Sequence, residues 1–135
     1  MQILVIDAQG GGIGKQIVAA IHKSIPNITV TAVGTNTAAT TAMLKAGADH
    51  GATGENAVIV GARKADVIIG PIGIVIADSL FGEITPAMAV AVGQSNAKRI
   101  LIPVNHCDNI VAGTRDLNMK SLLEEILTLL HPAEK

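Results

Sequence analysis

The chain has no tryptophan, no tyrosine and a single phenylalanine, Phe81, among 135 residues. Base stacking on aromatic side chains is therefore excluded as a way of gripping single-stranded nucleic acid. With 49% apolar residues, its core must be built from Ile, Val, Leu and Ala, as in a parallel sheet covered on both faces. A lone cysteine, Cys107, allows no internal disulfide and points to a reducing compartment. A formal charge of -1 with no basic cluster argues against a nucleic-acid surface. No apolar run is long enough to span a bilayer: Val67 to Ala77 is too short and is broken by Gly70, Pro71 and Gly73. The N-terminus enters a strand without a basic flank, so it does not read as a signal peptide. These features predict a cytoplasmic protein forming one domain over residues 1–135.

What is present begins at the N-terminus. The apolar run Ile3-Leu4-Val5-Ile6-Asp7 breaks into Gln9-Gly10-Gly11-Gly12-Ile13-Gly14-Lys15 and reopens as an amphipathic pattern, Ile13, Ile17, Val18, Ile21. A buried strand leading through glycines into a helix is a common phosphate cradle. Helix-start amides and the helix dipole attract the anion, and glycine lets it approach the backbone. No named template fits in full. The dinucleotide pattern read from Gly10 meets Lys15 where its last glycine belongs, and read from residue 9 it begins on Gln9. The short-chain-dehydrogenase spacing meets Ala8. The P-loop pattern has Gly14-Lys15 but finds Gln9 for its first glycine and Gln16 for the magnesium-binding hydroxyl. The ParA-like variant lacks its additional lysine because Gly10 stands there. The alternative to a phosphate role is a tight turn that only packs strand on helix.

Strand and helix then alternate. A strand over 28–33 leads into Gly34-Thr35-Asn36, with Asn36 as N-cap of a helix ending at Gly47. Helices near 55–64 and 86–97, the latter opened by Thr85-Pro86, precede strands at 66–70 and 99–104. Leu122, Leu123, Ile126, Leu127 and Leu130 mark a last helix that His131-Pro132 ends. Two successive helices cannot both descend unless the chain climbs between them. Only Ala48 to Thr53 can do so, six extended residues rising about 20 Å, so a short strand is expected there. The predicted fold is a three-layer, doubly wound α/β sheet of about five parallel strands, Rossmann-like in order 3-2-1-4-5, with a flavodoxin-like order as the alternative.

That topology gathers Gln9 to Lys15, Thr35-Asn36, Thr53 with Glu55 and Asn56, Gly70-Pro71 with Gly73, and Asn105-His106 at the C-terminal strand ends, where open sheets bind ligands. Gly10 to Gly14 are assigned to phosphates and Thr35 or Asn36 to a ribose. A nucleotide or dinucleotide, NAD(P) or another adenine nucleotide, is the expected small-molecule ligand. However, no carboxylate stands about 20 residues beyond the glycines to bind the ribose hydroxyls, and no arginine stands there for a 2′-phosphate.

The apolar segment 71–85 is too long for a simple turn, and Asp78 and Glu83 are its only charges. It reads either as a lid bringing two carboxylates to the ligand or as a subunit contact. The helix beginning at Pro86 is small and apolar all round, which implies cover on every side; a homodimer through 71–93 would provide it. His106-Cys107-Asp108 and Asp49-His50 contain metal-ligand types without a ligand spacing, so no metal site is expected. Cys107 as a nucleophile with His106 competes with a buried cysteine after a strand. His22 and His131 fall at helix ends, where partial positive charge suits the dipole.

Three segments carry a resemblance: Asp7 to Lys15; Thr41 to Asp49 with Gly51 to Asn56; and Gly70 to Ser79 with Gly82 to Met88. Together they resemble the bacterial family catalogued as domain of unknown function 3842, over almost the whole chain. The resemblance implies a small Rossmann-like cytoplasmic protein and carries no activity. Three readings stand: a nucleotide-binding or sensing module; a small oxidoreductase or transferase using Asp78 or Glu83 as acid/base under 71–85; and a P-loop-like NTPase, disfavoured by Gln9 and Gln16. In all three, Gly14→Ala or Lys15→Ala is expected to weaken phosphate binding, and Lys15 is expected to matter more for ATP-like ligands.

Overall fold

A computed structural model describes residues 1–104, 109–114 and 117–131. Strand β1 (Gln2–Asp7) is apolar on both sides because both are buried. Ile3 and Val5 enter one core layer, and Leu4 and Ile6 the other. Helix α1 (Gly12–Ser24) buries Ile17, Val18 and Ile21 against the first layer. The chain continues through β2 (Thr29–Gly34), α2 (Thr37–Lys45), β3 (His50–Thr53), α3 (Glu55–Lys64) and β4 (Val67–Pro71). A 3-10 turn (Ile72–Val75) and irregular chain lead to α4 (Pro86–Gln94), β5 (Lys98–Ile102) and α5 (Met119–Leu130).

The sheet is five-stranded in the order β3-β2-β1-β4-β5, and every pair is parallel. This is the Rossmann-like order; the flavodoxin-like alternative is not the one formed. Residues of α1, α2 and α5 pack in one core layer, and residues of α3 and α4 in the other. The strand inferred from direction alone is present as β3, exposed along its whole length. Asp49 ties it to β2: its amide donates to the Val30 carbonyl, and its carboxylate accepts from the Val30 amide, both at 2.8 Å.

The caps agree with the sequence. Asn36 accepts from the Ala39 amide at 2.9 Å, and Thr85 accepts from the Met88 amide at 3.1 Å with Pro86 in the first turn. Gly47 closes α2 at φ +120°. Helix α4 stops at Gln94, three residues before the expected end, because Ser95 turns extended and its hydroxyl bonds the Ala62 carbonyl. Among the described residues, no helix is long and apolar enough to cross a membrane. His106-Cys107-Asp108, Asn105 and Pro132 lie outside the described residues.

Helix α4 buries Met88, Ala89 and Val92, and within this chain Val90 is 53% exposed, so one side of the helix is left without cover from the chain itself.

Candidate functional site

Strand order reverses between β1 and β4, and a cavity of about 340 Å³ opens there at the C-terminal strand ends. Its walls are the loop residues Asp7 to Gly10 and Gly12, together with Ile13, Gln16, Pro71 and Leu80. In open α/β sheets this crevice is the usual ligand position.

The glycines of the loop divide by physical cause. Gly11 sits at φ +73°, and a Cβ there would lie 2.9 Å from the Ala39 backbone, so conformation and packing both require glycine. Gly14 has no room either: a Cβ would meet Met43 Sδ at 2.6 Å and Asp7 Cβ at 2.8 Å. Gly10 and Gly12 differ. Both lie outside the left-handed region, and a Cβ on either would touch nothing within 4 Å. Both line the cavity, and neither amide makes a hydrogen bond among the described residues.

Asp7 takes part of what the sequence assigned to a phosphate. Its carboxylate accepts from the Ala8 amide at 2.8 Å and the Gly14 amide at 2.6 Å, serving as the side-chain cap that Gly11 cannot supply. Burial pushes the Asp7 carboxyl above its ordinary 3.8; the amides of Gly14, Ala8 and Ile13 oppose that, and the Glu83 charge adds to it. The helix-start amides available to a ligand are therefore those of the loop, Gly10 and Gly12, rather than Gly14.

Glu83 comes back to the same loop across 74 residues. Its Oε1 accepts from the Gln9 amide at 2.9 Å, from Asn36 Nδ2 at 2.9 Å and from the Thr35 hydroxyl. Partial burial raises its pKa, but the bonds from Thr35, Gln9 and Asn36 outweigh this and hold the carboxyl below its ordinary 4.5. It is held ionised, the reverse of what a resident proton donor needs. The chain reaches this position through a left-handed turn: Asp78 (φ 64°), Leu80 (φ 55°), Phe81 (φ 59°) and Gly82 (φ 80°) all have positive φ. A 2.7 Å bond from the Asp78 amide to the Ile84 carbonyl closes it, and buried Leu80 pins it down.

Other expected site residues have different placements. Asp78 is exposed on the turn and does not line the cavity. Lys15 is exposed and lines a separate cleft of about 780 Å³ between α1 and α2, together with Lys45. Thr53 bonds Thr40 at 2.7 Å, and Glu55 accepts from Thr85 at 2.5 Å beside the α4 cap; Asn56 is exposed next to it. Gly70 is glycine because a Cβ would lie 2.5 Å from the Ile6 carbonyl oxygen, and Gly73 because Ser79 and Leu80 crowd it. Pro71 lines the cavity.

Two residues escaped sequence reasoning. Asp7 was legible only as the end of a strand. Thr40, buried, accepts from the Gly34 amide and bonds Thr53, fastening the β2 and β3 ends together.

These features define a Rossmann-like α/β protein with a cavity at the strand-order reversal. The chain belongs to the family described as Domain of unknown function (DUF3842), whose model matches residues 2–134. A search of curated proteins found no match. Among solved structures, the dodecameric FMN-dependent UbiX-like decarboxylase from Escherichia coli O157:H7 is similar in fold. The TM-score is 0.51 at 21% identity, covering 96% of this chain and 75% of that one.

Proposed function

We propose that the protein binds a phosphate-bearing nucleotide or flavin cofactor, with the phosphate on the loop at Gly10 to Gly12. Gly10 and Gly12 carry the reading: neither backbone conformation nor packing requires glycine there, yet both border the crevice with amides that no hydrogen bond among the described residues uses. A backbone that must let an anion come close is the remaining physical use for them. The two side-chain carboxylates near the loop are already engaged by protein donors, Asp7 on both oxygens and Glu83 on Oε1. The FMN-dependence named for the structural neighbour supports flavin mononucleotide beside NAD(P)-like ligands as the class to test.

Binding takes precedence over catalysis by the chain's own acids. Glu83 is held ionised, and neither Glu83 nor Asp78 is among the cavity walls. The reading includes self-association through the outer face of α4, where Val90 and, on the preceding turn, Phe81 are exposed. The dodecameric neighbour is compatible with that.

Without Trp or Tyr the chain is nearly dark in the near ultraviolet, so the spectrum of freshly purified protein reveals a retained ligand directly. A flavin would add visible bands, and mass spectrometry of the denatured supernatant would identify either class. No retained chromophore, together with no heat on calorimetric titration with FMN, NAD or ADP, would overturn the reading.

A further inference from the structure

The sequence lacks a carboxylate after β2, where a dinucleotide site needs one for the ribose hydroxyls. The fold brings one to that place from elsewhere. Thr35 and Asn36 follow directly on β2, and both donate to Glu83. The Gln9 amide fixes the same carboxylate to the glycine loop. All three bonds end on Oε1, and no bond among the described residues uses Oε2.

Resting on the reading above, we infer that Glu83 is a specificity residue whose Oε2 accepts hydrogen bonds from the vicinal hydroxyls of the ligand's sugar. The ligand class is then a phosphate ester of a ribose or ribitol chain, with its sugar outside the cavity itself, past Gln9 on the β2 side of the loop. Two observations favour this over a carboxylate that merely fills an anion cradle. A plug would take the open amides of Gly10 and Gly12, but Glu83 leaves them and uses Gln9 and two side chains instead. The delivery is also costly in conformation: Leu80 and Phe81 both adopt φ values that side-chain-bearing residues avoid. Such strain persists where the surroundings enforce one geometry, and here it positions one carboxylate oxygen that no bond among the described residues uses.

Glu83→Gln isolates that oxygen. The amide oxygen keeps the three donors, and an NH2 group replaces Oε2, so an acceptor becomes a donor. The probes are ADP against 2′,3′-dideoxy-ADP, and FMN against the same flavin with a 5-phosphopentyl chain. These arms distinguish ribose from ribitol. The wild type is expected to bind the hydroxylated member of one pair about tenfold tighter. Glu83→Gln is expected to remove that difference and leave the hydroxyl-free analogue unchanged. Glu83→Ala, with circular dichroism as the check on folding, should do the same. Tighter binding of both members by the variants would make Glu83 a plug and overturn the inference; so would equal weakening of both. If the wild type binds neither pair, the phosphate reading fails first, a result distinct from intact binding without hydroxyl discrimination.

Discussion

Alanine at Gly10, Gly12 and Gly14 separates a ligand cradle from a packing turn in one experiment. At Gly10 and Gly12 the new methyl group meets nothing within 4 Å, and neither backbone is left-handed. The fold loses nothing, and the unfolded chain loses freedom, which stabilises by about 0.4–1 kcal/mol. Gly12 opens α1, so alanine there adds helix propensity as well. At Gly14 the methyl would come within 2.6 Å of Met43 Sδ and 2.8 Å of Asp7 Cβ, so α1 must shift from the sheet. Overpacking of that kind costs about 1–3 kcal/mol. For a chain of this length about 1 kcal/mol corresponds to roughly 3–5 °C in Tm. Thermal melts followed by circular dichroism should therefore show Gly10→Ala and Gly12→Ala at or a few degrees above the wild type, and Gly14→Ala clearly below it. Calorimetric titration of the same proteins should show the reverse for the first two, with tenfold or greater loss of phosphate-ligand affinity, about 1.4 kcal/mol. A Tm drop of several degrees for Gly10→Ala or Gly12→Ala would mean the loop needs glycine for its own folding, and the cradle reasoning would fail.

Glu83 has a depressed folded pKa, so its contribution to stability is present above the unfolded value near 4.5 and is lost as pH falls through the folded one. Urea midpoints of wild type and Glu83→Gln should therefore differ at pH 6 and converge toward pH 3; a constant gap would refute the assignment. Asp7→Ala strips the α1 cap from the Gly14 amide, and the acceptor from the Ala8 amide, and should cost about 1–2 kcal/mol by urea denaturation at neutral pH. An unchanged midpoint would show that burial of the charge cancels the cap. Within one chain Phe81 is 86% exposed at φ 59°, so in a dilute, monomeric sample Phe81→Asn loses almost no packing and relieves the left-handed strain. A gain of about 0.5–1 kcal/mol in urea denaturation is expected there, and a loss would place the ring in a contact within the chain. Lys15→Ala should leave ADP and FMN affinities within about twofold, because Lys15 faces the α1–α2 cleft; a tenfold loss would restore a P-loop-like role.

Local physics decided much of this fold. Ile3 to Ile6 had to be a strand buried on both faces, since nothing polar offers either face to water. Asn36 and Thr85-Pro86 mark helix starts because their oxygens are spaced to meet the third helical amide. Even β3, exposed throughout, followed from chain direction: a helix that descends must be preceded by something that climbs. These inferences need only near neighbours or connectivity, and both are written in order along the chain.

The candidate site was readable as a location and not as a chemistry. Four glycines in one short loop look alike in sequence. Only Ala39, Met43 and Asp7, brought against them by packing, distinguish the two that the fold requires from the two it leaves open. The side of α1 on which Lys15 lies was settled by how α2 docks. The carboxylate missing after β2 arrives from Glu83, 48 residues beyond Thr35, through a left-handed turn that no local propensity of Leu80 and Phe81 favours. Periodicity, caps and connectivity are properties of neighbouring residues, so the order of residues determines them. Which donor meets which acceptor across the strand ends depends on how distant segments pack, and that was decided only when both core layers closed on the sheet.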